Sequence, residues 1–274
     1  MGYNAAKYLM KRIFVMITAA LLMVLTTHVS AQQQDAMTIT VKGVSFKMIR
    51  VQGGTFTMGA TYEQGSDAED NAKPAHKVTL STYYIGETEV TQALWQAVMG
   101  SNPSEFKGSM RPVEQVNWYD CQEFIRRLNQ LTGKKFRLPT EAEWEFAARG
   151  GTKSLNYKYS GSNDINTVAW YMDNAFEKGE GSPDYGTHVV KTKKPNELGI
   201  YDMSGNVNEW CSDWYGNYTD AAQTNPQGVS SGFHRVGRGG GWSSIGRCCR
   251  SSYRYGHIPD KQVFYLGLRL VLLP

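Results

Sequence analysis

A short segment in the C-terminal half of the chain has the residue types and the spacing of a cation-binding loop. Asp202, Gly205, Val207 and Glu209 fall at positions i, i+3, i+5 and i+7. Two carboxylates and two backbone carbonyls at this spacing can surround one hard cation, and calcium accepts such oxygen ligands in flexible geometry. The segment is therefore a candidate site for a hard cation such as calcium. The alternative is an acidic loop that caps a helix and holds no ion.

The cysteines and histidines show no motif for other chemistry. Cys248 and Cys249 are adjacent, and a disulfide between them would be strained, whereas Cys121 and Cys211 are isolated in sequence. The spacing leaves the disulfide pairing of all four open. The histidines lack the paired spacing of zinc sites, and no nucleophile-elbow motif supports a Ser–His–Asp triad. Each histidine is expected at the surface or in a loop.

The N-terminal 31 residues have the composition of a secretory signal peptide. Three basic residues precede an apolar run over 13–25 and a small-residue cleavage signature at 29–31. The run is too short for a membrane span, although an uncleaved N-terminal anchor is the alternative. Cleavage predicts an exported protein, periplasmic, at the cell surface or secreted, with no remaining transmembrane span. The whole chain carries +4 and residues 1–31 contribute +3, so the mature protein carries about +1, which gives no electrostatic reason to bind nucleic acid.

The rest of the chain predicts one loop-rich α+β domain over residues 38–274, preceded by a disordered leader over 32–37. Polar and apolar residues alternate over 38–51 and 76–85, as they do in strands. Three helices are predicted, over 91–99, 117–133 and 140–150, and Thr140 and Glu143 form a capping box for the third. From residue 152 onward, short aromatic-rich pieces alternate with Gly, Asn, Asp and Ser. Trp118, Trp144 and Trp210 are expected in the core because a tryptophan buries a large apolar area.

Eight groups of residues occur in an order that resembles the formylglycine-generating enzyme, or sulfatase-modifying factor, family. They are 53–59, 89–91, 111–118, 137–145, 195–202, 205–210, 238–242 and 267–270. The resemblance implies a variant of the C-type lectin-like fold, with few helices and short antiparallel strands. It also implies a structural calcium at the four positions of the acidic loop.

The resemblance also implies an oxidase activity, for which this chain has only some of the required residues. The family's oxidase activates dioxygen at copper(I) held by two thiolates, which are soft ligands suited to that ion. Counted from Trp242, the matching positions are Ser244 and Cys249, and Gly241 replaces the serine expected before the aromatic residue. We therefore expect a protein without this activity. The alternative is a copper-dependent oxidase that modifies a sulfatase cysteine and uses Cys249.

The C-terminal forty residues contain a scatter of residue types that follows neither strand nor helix periodicity. Each type can be reached by varying the first two bases of a codon from adenine, and the pattern resembles the variable proteins of diversity-generating retroelements. Such residues on a rigid scaffold form an antibody-like binding surface for a protein or a glycan at the cell surface. Two alternatives are an unremarkable family loop and a structural component of the cell envelope or secretion apparatus. The predicted ligand-binding residues are Trp242, Ser243, Ser244, Ile245, Gly246, Cys248, Tyr253, Tyr255, Gly256, His257, Val263, Phe264 and Tyr265.

Overall fold

The computed structural model describes residues 35–274, so the predicted signal peptide and residues 32–34 of the predicted leader lie outside the described residues. The first strand begins at Ala36, two residues before the predicted start of the domain. Within residues 35–274, no helix is long and apolar enough to cross a bilayer.

Short strands and a few helices make up the described part of the chain. The strands are β1 Ala36–Val41, β2 Val44–Val51, β3 Gly54–Met58, β4 His76–Leu80, β5 Tyr83–Gly86, β6 Phe136–Arg137, β7 Asn208–Trp214, β8 Gln223–Thr224, β9 Arg235–Arg238, β10 Arg254–His257, β11 Leu266–Leu268 and β12 Val271–Leu272. The α-helices are α1 Gln92–Met99, α2 Trp118–Thr132, α3 Glu141–Ala148 and α4 Ile165–Val168. The predicted loop-rich α+β class is confirmed.

The strands form three sheets with the orders β1-β2-β5-β12-β6, β10-β9-β7-β11 and β3-β4-β8. Most pairs are antiparallel, as predicted, but β11 pairs with β7 and β8 pairs with β4 in parallel. The C-terminal strand β12 lies between β5 and β6. The two ends of the domain are therefore held in one sheet, although far apart in sequence.

Side chains at the helix ends explain where the helices begin and end. Glu143 donates its backbone N–H to the Thr140 hydroxyl (3.2 Å), and the Thr140 N–H donates to the Glu143 carboxylate (2.8 Å), which is the predicted capping box. Helix α2 ends at Gly133, whose φ of 67° is left-handed. The apolar stripe of α2 is buried as far as Leu128, but Leu131 is 48% exposed because the helix has passed the edge of the core by then.

The core is tied together by buried ion pairs as well as by apolar packing. Trp144 and Trp210 are fully buried, as predicted, whereas Trp118 is only partly buried and lies under the Arg235 guanidinium. Three arginines of residues 35–274 are fully buried, and each is paired with a buried glutamate. The pairs are Arg238–Glu145, Arg254–Glu141 and Arg269–Glu209. They join β9, β10 and the segment after β11 to helix α3 and strand β7, and thereby fix the backbone beneath the C-terminal loops.

Candidate functional site

The predicted ligand-binding residues converge on one open cavity of about 310 Å³. This volume is at the lower end of the range found for ligand pockets, roughly 300–1,000 Å³. Seven predicted residues line it, together with Asn208 and Gly240. The seven are Ser243, Ser244, Cys248, Tyr253, Tyr255, His257 and Tyr265.

The loops that carry these side chains are fixed through their backbone. The Trp242 N–H donates to the Asn206 carbonyl (2.8 Å), and the Ser244 carbonyl accepts from the Met172 N–H (2.9 Å). The Ser244 hydroxyl accepts from the Gly241 N–H (3.0 Å). On the other wall, β10 pairs with β9, so Arg254 points into the core while the next residue, Tyr255, points outward. The cavity is therefore a set of side chains displayed on a rigid frame.

Most of the predicted ligand-binding residues are exposed or partly buried, whereas several residues between them are buried. Ile245, Tyr255 and Phe264 are exposed, with Tyr255 at 51%. Eight further predicted residues are partly buried, namely Ser243, Ser244, Gly246, Cys248, Tyr253, Gly256, Val263 and Tyr265. The intervening residues Arg250, Ser251, Ser252, Arg254 and Leu266 are buried. Exposed side chains such as Ile245 and Tyr255 can therefore change without disturbing the core, whereas Val263 and Tyr265 pack against it and the third group belongs to the buried interior.

Two of the predicted binding residues are buried. Trp242 is fully buried, its indole N–H donates to the Phe264 carbonyl (3.0 Å), and its ring lies edge-on to Phe106 and Tyr185. The prediction that Trp242 belongs to the binding surface was wrong, because a ring with these contacts packs beneath the loop and holds it in place. His257 is also buried but lines the cavity, with Nε2 3.1 Å from Asn208 Oδ1. Burial lowers the pKa of His257 to about 4, which keeps the ring neutral near pH 7.

The expectation that each histidine lies at the surface or in a loop was wrong for His76 and His257, which are buried in strands β4 and β10. His188 lies in a loop as expected, but it is buried and stacks on Trp170 with ring centroids 3.6 Å apart. The imidazole rings pack as aromatic groups in these places. Burial lowers the pKa of His188 to about 4, in agreement with that role.

The four thiols are free and do not form a pair of copper ligands. Cys249 packs against Ala169 and Tyr171, and burial raises the pKa of its thiol well above the ordinary value. The adjacent Cys248 instead lines the cavity, together with Tyr253. Cys121 and Cys211 lie in two other core clusters, one in each. None of these thiols therefore replaces the second copper ligand, which the family resemblance places at the position of Ser244.

The acidic loop carries an excess of buried negative charge. Glu209 accepts hydrogen bonds from the Arg269 guanidinium (2.7 Å) and from the Trp144 indole N–H (2.7 Å). Asp202 accepts from the Lys191 N–H (2.8 Å), and burial raises its pKa to about 6. Glu89 is buried beside them, and burial, followed by the charge of Asp202, raises its pKa well above the ordinary value. Three carboxylates therefore face one guanidinium.

The fit of this loop to calcium rests on its oxygen donors. Within residues 35–274, no three His, Cys, Asp or Glu side chains are placed together to hold a metal ion. The predicted set does not depend on such a group, because Gly205 and Val207 would contribute backbone carbonyls. The donor types and the unbalanced charge of Asp202 and Glu89 fit a hard cation, whereas the Glu209 carboxylate is already neutralised by Arg269.

Sequence reasoning missed two residues of the cavity, Asn208 and Gly240. Asn208 is a buried polar residue at the start of β7, and a buried polar side chain indicates a specific hydrogen-bond partner, here His257. Gly240 has a left-handed φ of 68°, and a Cβ there would lie 2.9 Å from the Cys249 sulfur. Its position among three consecutive glycines was the available signal.

Comparisons with known proteins agree on one family. The sulfatase-modifying factor enzyme 1-like domain matches residues 33–273. The chain is 38% identical over 253 residues to the chaperone protein LppX of Paenibacillus barcinonensis, covering 77% of this chain and 83% of that protein. It is 29% identical over 286 residues to the formylglycine-generating enzyme of Streptomyces coelicolor, covering 81% and 87%.

A solved structure is similar over most of this chain. Treponema denticola variable protein 1 superimposes with a TM-score of 0.76 at 35% identity, covering 88% of this chain and all of that one. PvdO from Pseudomonas aeruginosa has a TM-score of 0.71 at 22% identity, covering 88% and 100%, and shows the fold alone. The predicted fold is therefore confirmed, and the chain belongs to the sulfatase-modifying factor enzyme 1-like family.

Proposed function

We propose that this protein is an exported binding protein, without formylglycine-generating activity, that holds a protein or glycan ligand against its C-terminal loops. The observation that carries the proposal is the convergence of seven residues with no common periodicity on one cavity. Residues selected only for folding have no reason to meet in this way. The similar Treponema denticola protein is named a variable protein, which supports variation at this surface.

The chemistry of the cavity favours recognition over catalysis. Tyr253, Tyr255 and Tyr265 supply large contact areas with few rotatable bonds, and Ser243 and Ser244 supply adaptable hydrogen-bonding groups. The only imidazole of the cavity among the described residues, that of His257, is held neutral by burial and is hydrogen-bonded to Asn208. This composition is typical of binding surfaces that accept many ligands by a change of side chain.

We include a calcium ion at the acidic loop in this proposal. Asp202 and the carbonyls of Gly205 and Val207 would hold the ion, and it would balance the charge of Asp202 and Glu89. Its role would be structural, since Asn206 in this loop accepts from the Trp242 N–H and so fixes one wall of the cavity.

Site-directed photo-cross-linking tests the proposed function. A photo-reactive phenylalanine analogue at position 255 is exposed to an envelope fraction of the source cells, beside the same analogue at position 40, an exposed residue of β1. We expect a discrete cross-linked product from position 255 alone, lost when excess unlabelled protein competes. Equal products from both positions, or competition by an Ile245→Ala/Tyr255→Ala variant as strong as by the wild type, would contradict the proposal.

A further inference from the structure

A second open groove lies along strand β3 and shares no residue with the C-terminal cavity. Its volume is about 1360 Å³, which exceeds the usual range of small-molecule pockets, roughly 300–1,000 Å³, and suits an elongated ligand. Its walls are the outer face of β3 and β4, the turn at Tyr62–Gln64, and the segment from Gly151 to Asn163.

Hydroxyl and amide side chains are the largest group in the lining of the groove. Strands β3 and β4 pair Thr57 with Lys77, and the Lys77 ammonium donates to the Thr57 hydroxyl (2.9 Å). Phe56, between Thr55 and Thr57 on β3, packs on Phe146 with ring centroids 5.0 Å apart, and both rings form an apolar part of the groove lining. The polar side chains along the groove are Thr55, Thr57, Thr61, Ser66, Thr152, Ser154, Asn156 and Asn163.

The charge of the groove is positive, although the mature protein is close to neutral. Glu63 is the one acidic residue of the lining, and it is neutralised by Arg149 (2.5 Å). Three lysines remain, of which Lys73 pairs with Asp70 at the rim (2.8 Å). Lys77 and Lys158 form no salt bridge with any carboxylate of residues 35–274. The groove therefore attracts an anion.

An aromatic ring at the rim adds a stacking surface. Tyr62 is 99% exposed, although its neighbour Gln64 is buried and accepts hydrogen bonds from Ser252 (2.9 Å). The buried Gln64 side chain therefore holds the turn in place, whereas the phenol ring of Tyr62 is exposed to solvent. The flat face of this exposed ring suits the apolar face of a sugar ring.

We infer that this groove binds an acidic oligosaccharide, a chain of sugars that carries carboxylate or sulfate groups. The many hydroxyl and amide groups match the hydroxyls of such a chain, the two lysines without a salt bridge match its charges, and Tyr62 matches a sugar ring. An acidic peptide added to the edge of β3 fits less well. The N–H and C=O of Gly59, just beyond that strand, are taken by Glu145 (2.8 Å) and Arg149 (2.7 Å).

Calorimetric titration of the full mature protein tests this inference. The probes are oligogalacturonate, a neutral malto-oligosaccharide of equal length, and a poly-glutamate peptide. We expect oligogalacturonate alone to bind, with an affinity that falls as salt is raised. A Lys77→Gln/Lys158→Gln variant should bind it roughly tenfold more weakly, since two exposed charge contacts are removed.

The control variant is Lys134→Gln/Lys135→Gln, which removes the same charge from two exposed lysines outside the groove. It should bind like the wild type, and Tyr62→Ala should weaken binding. The inference is overturned if oligogalacturonate does not bind, if the neutral chain binds equally well, if poly-glutamate binds in its place, or if both double variants behave alike. These outcomes do not bear on the C-terminal cavity, whose residues are unchanged in every variant.

Discussion

The buried carboxylates around the acidic loop differ in whether a buried cation is paired with them. Glu209 was predicted as a calcium ligand, but Arg269 donates to its carboxylate, and a buried carboxylate needs such a partner. Asp202 and Glu89 have no comparable cation, so burial raises the pKa of each. The pairing of Glu209 with Arg269 therefore stabilises the folded loop, whereas burial of the Asp202 and Glu89 carboxylates without a paired cation costs electrostatic free energy.

A change of Asp202 to asparagine tests calcium at this loop. Asparagine keeps an oxygen to accept from the Lys191 N–H, but it removes a charge that the ion would balance. We expect wild-type melting to rise by several degrees in calcium relative to a chelator, because an ion bound only to the folded state stabilises it. The Asp202→Asn variant should show a much smaller rise. A wild-type melting temperature that is the same in calcium and in chelator contradicts the site.

Asp213 should make stability fall as pH rises through neutrality. It is buried, accepts from the Glu141 N–H (3.0 Å), and has a pKa raised to about 7 by burial and by the Glu141 charge. Because the folded-state pKa lies above the unfolded value, its contribution is fully present below about pH 4 and is lost between pH 4 and pH 7. Urea unfolding of wild type and Asp213→Asn at pH 5 and pH 8 measures it. We expect the wild type to lose on the order of a few kcal/mol relative to the variant across this range. Equal pH dependence of the two proteins would refute the role of Asp213.

In the C-terminal segment, buried residues that hold the backbone in place alternate with residues that face the cavity. Strands β9 and β10 carry buried arginines and β11 carries buried apolar residues. The residues of this segment that face the cavity lie in the turns between these strands, except Tyr255 and His257, which lie in β10. A loop on such a frame can change its side chains at little cost, because its backbone is held by hydrogen bonds to other segments.

Two combinatorial libraries test this division. Randomising Ser243, Ser244, Ile245, Tyr253 and Tyr255 together should leave most clones soluble and cooperatively folded. Randomising the buried Arg250, Ser251, Ser252, Arg254 and Leu266 should unfold nearly all, since removal of Arg254 alone leaves Glu141 buried without its partner, at about 3–5 kcal/mol. Thermal melts of equal numbers of soluble clones from each library measure the difference. Equal survival in the two libraries would falsify the division.

The sequence predicted local features well and long-range pairing poorly. The capping box at Thr140 and the end of α2 at Gly133 depend on residues close in sequence and were correct. The parallel pairing of β7 with β11, and the burial of Trp242 beneath Phe106, depend on residues far apart in the chain. No periodicity encodes such contacts. The convergence on the cavity could be anticipated only as a pattern of residue types, because its geometry arises from three separate segments.

At the scale of the whole molecule, the family fold is kept while the thiol pair of its oxidase is not assembled. Cys249 is buried in one cluster and Cys248 faces the cavity, so the two adjacent sulfurs point to different surroundings. This arrangement of the two thiols is one of the observations that support the proposed binding function.

Copper and substrate assays test the loss of oxidase activity. Copper(I) titration should show no tight site, and a synthetic peptide that carries the cysteine segment of a sulfatase should not be oxidised. Ser244→Cys restores the second thiol at the position implied by the family, and it should raise copper affinity strongly, since two thiolates suit copper(I). Tight copper binding with peptide oxidation by the wild type contradicts the proposal.

The most direct test of the binding function is the affinity of the ligand cross-linked at position 255 for purified variants. Ile245→Ala/Tyr255→Ala should weaken binding by about a hundredfold, because exposed aromatic and aliphatic residues at the centre of a binding surface carry most of its energy. Its melting temperature should stay within a few degrees of the wild type, since both side chains are exposed. We predict this loss of affinity without loss of stability. An unchanged dissociation constant for the double variant would contradict a binding function at these loops.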